Sequence, residues 1–179
     1  MNFIPSEKLP GVIIIEPEIF EDSRGFFMEV YHHEKYRHAG IKEHFVQDNR
    51  AGSKKNTIRG LHYQIENAQG KLVLVLAGKI YDVAVDIRRN SPTFGKWLGM
   101  ILSDENKTSL YIPPGFAHGY CVLSDKAEVL YKCTDLYAPQ YERCIRWDDP
   151  ALAIEWPVKE PILSGKDKNA PYLKDADLS

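Results

Sequence analysis

No stretch of the 179-residue chain approaches the roughly 18 consecutive apolar residues of a membrane span. The longest apolar run of the N-terminal region, Val12 to Ile15, is closed by Glu16. It is too short for the apolar core of about 7–15 residues that a secretory signal needs, and no basic segment precedes it. The expectation is a cytoplasmic protein with no membrane partner. A basic excess is also missing: 23 Lys plus Arg stand against 25 Asp plus Glu, for a net charge of −2. That balance argues against nucleic acid as a partner. Cysteine is scarce. Cys121, Cys133 and Cys144 are odd in number and form no CxxC, so neither a disulfide framework nor a zinc site is expected.

Long amphipathic helix patterns and strand–helix alternation are absent, which excludes an α/β fold. Phosphate-cradling glycine motifs are absent too. No repeat, low-complexity tract or linker divides the chain, so residues 1–179 are expected to form a single domain. Apolar residues make up 44% and charged residues 27%. That is ordinary for a domain burying roughly 70% of its unfolded surface.

What remains is a series of short strand signals punctuated by Gly and Pro. Leu72 to Leu76 is apolar on both faces, as in a strand inside a sandwich. Ile80 to Asp86 alternates, with Asp82, Ala84 and Asp86 on one face. Gly78-Lys79 between these two runs predicts a tight hairpin. Further strands are expected at 11–15, 26–30, 57–64, 97–102, 109–112, 119–123 and 128–134. One short helix is expected at Glu34–His38. The fold class is all-β: an antiparallel sandwich or barrel with a few short helices.

Several strands are polar where packing alone would make them apolar. In Arg59-Gly60-Leu61-His62-Tyr63-Gln64, alternation puts His62 with Gly60 and Gln64, and Arg59 on the other face. Arg59, His62 and Lys71 crowd a short, otherwise apolar region, and burying that much positive charge needs a reason. Tyr131 and Tyr137 are placed to present rings or hydroxyls to a cleft. Leu163 to Asp167, taken alone, reads as a solvated turn. Pro113 to Gly119 resembles the second metal motif of cupins, the small β-barrel superfamily. The first motif, however, would read His62-Tyr63-Gln64, with Gln64 where a second His belongs. His62 and His118 without a third ligand are a poor transition-metal set. The scaffold therefore reads as cupin-like with no metal.

The chain resembles the dTDP-4-dehydrorhamnose 3,5-epimerase family over nearly its whole length. The resemblance rests on Asp22-Ser23-Arg24-Gly25-Phe26-Phe27, Gln47-Asp48-Asn49, Ile58 to Gln64 with Lys71, Asp86-Ile87-Arg88 and Ser91 to Gly95. It continues through Pro114 to Gly119, Tyr131-Lys132-Cys133, Tyr137, Glu142, Trp147 to Pro150, Ile154 to Pro157 and Leu163 to Asp167. Cys144 departs from the pattern, which has Gly there; it is read as lying outside the catalytic set, and all three Cys as bystanders.

The resemblance implies a jelly-roll homodimer without metal or cofactor, in which each subunit's N-terminal strand joins its partner's sheet. It implies a dTDP-ketosugar substrate, dTDP-4-dehydro-6-deoxy-D-glucose, epimerised at carbons 3 and 5. By resemblance, His62 is the general base oriented by Asp167, Tyr131 the general acid, and Lys71 the group beside the enolate oxygen. Tyr137 is implied to stack on thymine. Arg24, Phe27, Glu29, Gln47, Asn49, Arg59, His118, Glu142 and Lys166 match substrate-contacting positions. Three rivals remain: an epimerase acting on one carbon, a metal-dependent cupin and a non-catalytic sugar-nucleotide sensor.

Overall fold

The computed structural model of the chain describes residues 1–178. Thirteen strands build two sheets and a separate hairpin. They are β1 (Asn2–Pro5), β2 (Ile13–Glu16), β3 (Ile19–Asp22), β4 (Gly25–Met28), β5 (Gln47–Lys54), β6 (Ile58–Gln64) and β7 (Lys71–Ala77). They continue with β8 (Lys79–Asp86), β9 (Trp97–Ser103), β10 (Ser109–Ile112), β11 (Phe116–Val122), β12 (Lys126–Cys133) and β13 (Glu142–Cys144). Helix α1 is His33–His38 and α2 is Gly165–Lys168. One sheet runs β1-β2-β10-β7-β12-β5, the other β13-β6-β11-β8-β9, and β3 pairs only with β4. Every ladder is antiparallel.

The doubly apolar β7 has a simple explanation. Val73 and Val75 point into the space between the sheets, with Ile80, Ala84, Leu110 and Val129. Leu72 and Leu74 point outward, where Tyr36 of α1, Ile41 and Ile15 cover them. The outer face of the second sheet is covered by the C-terminal region: Val83 and Val85 of β8 pack with Ile145, Leu152 and Ala176. Fully burying each Val, Leu or Ile side chain among these is worth about 1.5–3 kcal/mol.

The hairpin expected at Gly78-Lys79 does not form. β7 pairs with β10 and β12, whereas β8 pairs with β9 and β11, so the chain crosses from one sheet to the other at this point. Gly78 takes φ +81°, and a Cβ there would collide with the Lys126 carbonyl. A sharp left-handed corner and a two-residue hairpin call for the same residue, so local sequence does not separate them.

Four strands escape the sequence pattern: β1, β3, β5 and β13. β5 is the informative one. Its residues alternate between half-buried and exposed, but Gln47, Asn49 and Ser53 on the inner face are polar. The polar lining of a cavity erases the apolar/polar contrast by which strands are recognised.

Candidate active site

The two sheets enclose a cavity of about 340 Å³. Its walls include Gln47 and Asn49 of β5, Arg59, His62 and Gln64 of β6, and Lys71 of β7. His118 and Tyr120 of β11, Tyr131 of β12, Tyr137 and Glu142 complete them.

The register explains this gathering. Across the six-stranded sheet, Gln47, Cys133 and Lys71 form one row, and Asn49, Tyr131 and Val73 the next. Lys71 and Tyr131 therefore share the inner face of neighbouring strands. Across the five-stranded sheet, Cys144, His62 and His118 form a row. Alternation alone put Arg59 on the face opposite His62, and the structure overturns that. The β6–β11 register shifts between His118 and Tyr120, and both Arg59 and His62 line the cavity. Gly60 sits at the irregularity with φ +116°, where a Cβ would lie 2.6 Å from the Gly119 Cα and the His118 carbonyl oxygen. Only glycine permits that approach.

His62 Nε2 lies 2.6 Å from Asp167 Oδ1. Asp167 is buried on α2, where Ser164 caps the helix by accepting the Asp167 backbone N–H at 3.0 Å. The segment read as a solvated turn is thus an anchored helix delivering a buried carboxylate. Burial opposes the Asp167 charge, but the His62 hydrogen bond and charge, with the Ser164 and Cys144 bonds, outweigh it and hold the carboxyl below its ordinary range. The carboxylate accepts the Nε2 proton, which leaves the lone pair on Nδ1.

A second pair stands beside it: His118 Nε2 lies 2.8 Å from Asp82 Oδ1, both buried in the sandwich. Asp82 Oδ2 and the Tyr120 hydroxyl are buried without a hydrogen-bond partner among the described residues. Such orphaned groups are costly unless a bound molecule completes them. Asp82 shared a face with Ala84 in the strand pattern, but nothing in the sequence tied it to His118.

Burial raises the Tyr131 phenol above its ordinary pKa, so it stays protonated at neutral pH. Burial lowers the Lys71 amine, while the charges of Asp82 and Glu142 work the other way. At the rim, the Tyr137 hydroxyl donates to Glu142 Oε2 at 2.7 Å and Lys166 Nζ lies 2.5 Å from the same oxygen. The Tyr137 backbone N–H donates to Gln47 Oε1 at 2.8 Å. Arg59 is exposed at the mouth, its Nε donating to Ser53 Oγ at 2.9 Å.

Arg24, Phe27 and Glu29 are not brought to this cavity. Arg24 pairs with Asp22 at 2.6 Å and Phe27 is 70% exposed, both on the β3–β4 hairpin; Glu29, just beyond it, pairs with Lys35 at 2.7 Å. Gln64 cannot play the missing cupin histidine. Its Nε2 donates to the Asn67 carbonyl at 2.8 Å and its Oε1 accepts the Ala138 N–H at 2.9 Å, so the carboxamide is committed to the loop. Cys144 is no bystander: its Sγ lies 3.7 Å from Asp167 Oδ1. Burial, then the nearby Asp167 charge, pushes its thiol up to about 12.

A jelly-roll β-sandwich whose inner cavity opposes a His on one sheet, paired with a buried Asp, to a half-buried phenol on the other defines an acid–base isomerase of the small-barrel type. The chain belongs to the dTDP-4-dehydrorhamnose 3,5-epimerase family, whose model matches residues 6–175. It is 55% identical over 179 residues to a dTDP-4-dehydrorhamnose 3,5-epimerase of Shigella flexneri, covering 99% of this chain and 98% of that one. A solved epimerase of Legionella pneumophila, in complex with dTDP-4-keto-L-rhamnose, is 52% identical at TM-score 0.95, covering 98% of this chain and 94% of that one. A 3′-monoepimerase of Streptomyces bikiniensis, in complex with dTDP-quinovose, is 35% identical at TM-score 0.89, covering 96% and 87%.

Proposed function

We propose that this chain epimerises dTDP-4-dehydro-6-deoxy-D-glucose at carbons 3 and 5, giving dTDP-4-dehydro-L-rhamnose, in dTDP-L-rhamnose biosynthesis. One observation carries the reading: His62, 2.6 Å from Asp167 of α2, stands on one sheet and Tyr131 on the other, across a shared cavity. Inversion at carbon requires a proton taken from one face and returned to the opposite one.

His62 Nδ1 removes the proton from a carbon flanking the 4-ketone, and Asp167 stabilises the imidazolium that forms. The C–H electron pair becomes the enolate, and its charge develops on the ketone oxygen, where Lys71 stabilises it. The electron pair then returns to carbon and takes the Tyr131 proton from the other face. The imidazolium and phenolate reset through solvent. Carbons 3 and 5 flank one ketone, so one apparatus serves both.

The other residues have binding roles. Arg59 and Lys166 grip the diphosphate, and Tyr137 offers thymine a flat surface. His118, the orphaned Tyr120 hydroxyl, Gln47, Asn49 and Glu142 meet sugar and nucleotide polar groups. A cytoplasmic setting suits three buried free thiols.

We further propose a homodimer. The expected exchange of the N-terminal strand takes a specific form here. β1 is paired with β2 of its own chain, while the β3–β4 hairpin belongs to neither large sheet and exposes Phe20, Phe26 and Phe27. β5, which lines the cavity, is an edge strand of its sheet, paired only with β12 among the described residues. A hairpin added to that edge by a second copy covers both liabilities. It also delivers Arg24, Phe27 and Glu29 beside Gln47 and Asn49.

Reaction in deuterium oxide tests the activity. Two solvent deuterons per product molecule, at carbons 3 and 5, are expected. One deuteron would instead match the single-carbon chemistry named for the Streptomyces protein, and none would remove the proposal. Tyr131→Phe should exchange but invert about 10²–10⁴-fold more slowly.

A further inference from the structure

Cys144 and His62 are cross-strand partners on β13 and β6, and both reach the carboxylate of Asp167. A ring nitrogen of His62, Cys144 Sγ and an Asp167 oxygen all lie within 4.8 Å of one another. We propose that these three side chains form an inhibitory site for a thiophilic divalent cation, of the zinc and cadmium class, built into the catalytic pair itself. The reading rests on the geometry of that pair and not on the identity of the sugar.

The chemistry of the donors fits. Imidazole, thiolate and carboxylate are the three ligand types zinc uses, at about 2.0–2.3 Å each. Those bond lengths at tetrahedral angles separate ligand atoms by roughly 3.3–3.7 Å. The Sγ–Oδ1 distance is already 3.7 Å, and the Nε2–Oδ1 distance of 2.6 Å has to open by roughly 1 Å. The His62 side chain is 29% exposed and lines the cavity, which gives a cation a path past the ring to the three donors. Asp167 and Cys144 are buried behind it, which limits competing water.

Inhibition follows from proton bookkeeping. The cation displaces the Cys144 thiol proton to solvent and takes the Nε2 lone pair and the Asp167 oxygen. The proton formerly shared between Nε2 and Asp167 moves to Nδ1. That nitrogen then lacks the lone pair that abstracts the substrate proton, so catalysis stops without any change of fold. This donor set is distinct from the cupin arrangement, whose position at Gln64 is committed to the loop.

Cadmium chloride titrated into the purified protein is the test. A thiolate-to-cadmium ultraviolet absorption band should grow to one cation per chain, with epimerase activity falling in parallel. Cys144→Ala should abolish the band. Partners behind metal ligands are worth about 10–100-fold in affinity, so losing a direct ligand should weaken binding measured by calorimetry at least that much. Cys133→Ala and Cys121→Ala should keep the band, which assigns it to one thiol. Circular dichroism of each variant checks that it is folded. A band that persists in Cys144→Ala, or cadmium affinity equal to that of the parent, would overturn the proposal, as would full activity with the band saturated. Binding is read without substrate, so an error in the proposed reaction would not disturb this outcome.

Discussion

His62 and His118 stand opposite each other across the β6–β11 ladder, and each turns its Nε2 to a buried carboxylate, Asp167 at 2.6 Å and Asp82 at 2.8 Å. The two pairs differ in exposure. The His62 side chain is 29% exposed and that of His118 only 7%. The accessible pair is the one suited to exchange protons with a bound molecule; the buried one is suited to hold it.

Asp167→Asn keeps the size of the side chain but turns an obligate acceptor into a group that can donate. The imidazole then loses its fixed tautomer and its counter-charge. Turnover should fall by about 10²–10⁴-fold. The Kd for dTDP should change little, because the proposed nucleotide contacts are Arg59, Tyr137 and Lys166. A variant with normal turnover would show that Asp167 only supports the fold.

Lys71→Gln removes the cation proposed to face the enolate oxygen. Turnover should fall by about 10²–10³-fold while dTDP affinity measured by calorimetry holds. A loss confined to affinity would assign Lys71 to binding instead.

Asp86 gives a stability prediction. Burial works against its charge, but bonds from Arg88, Ser91 and Thr93 outweigh it, and the carboxyl is held far below its ordinary value. A depressed folded pKa contributes stability above the unfolded value of about 3.9, and that contribution is lost as pH falls toward the folded one. Asp86→Asn should cost about 1–3 kcal/mol at pH 7, discounting for the partly exposed Arg88. The gap to the parent should narrow as pH drops below about 4. Urea denaturation at both pH values measures it; a pH-independent gap would refute the linkage.

The dimer predicts a solution mass near twice the 20.5 kDa chain. Phe27→Asp on the exposed hairpin should shift that mass toward one chain and weaken substrate binding, as read by light scattering and KM. A monomeric parent with full activity would sink the exchange proposal.

Much of the fold was legible because buried strands announce themselves. Apolar β7, alternating β8 and the Gly/Pro punctuation needed no tertiary knowledge. β5 was illegible for the opposite reason: its inward residues serve a cavity and are polar. Arg59 was misplaced because strict alternation fails at Gly60, where the β6–β11 register shifts. Asp167 could be tied to His62 only through family resemblance, since 105 residues separate them and its own segment reads as a polar turn.

The sequence by itself determined the all-β class, the apolar strands that build the interior and the chemical types available to the site. These follow from local hydrophobic periodicity and side-chain chemistry, which neighbours along the chain carry. Only the tertiary structure decided that Gly78 turns a corner between sheets, that two His–Asp pairs lie side by side, and that Cys144 touches the Asp167 carboxylate. Those are matters of register and of long-range pairing. They are set by which strands meet across the sandwich, and no local pattern encodes that. The scarce cysteine changed its meaning accordingly: Cys144 forms no bridge, yet it lies against Asp167 because β13 is registered on β6.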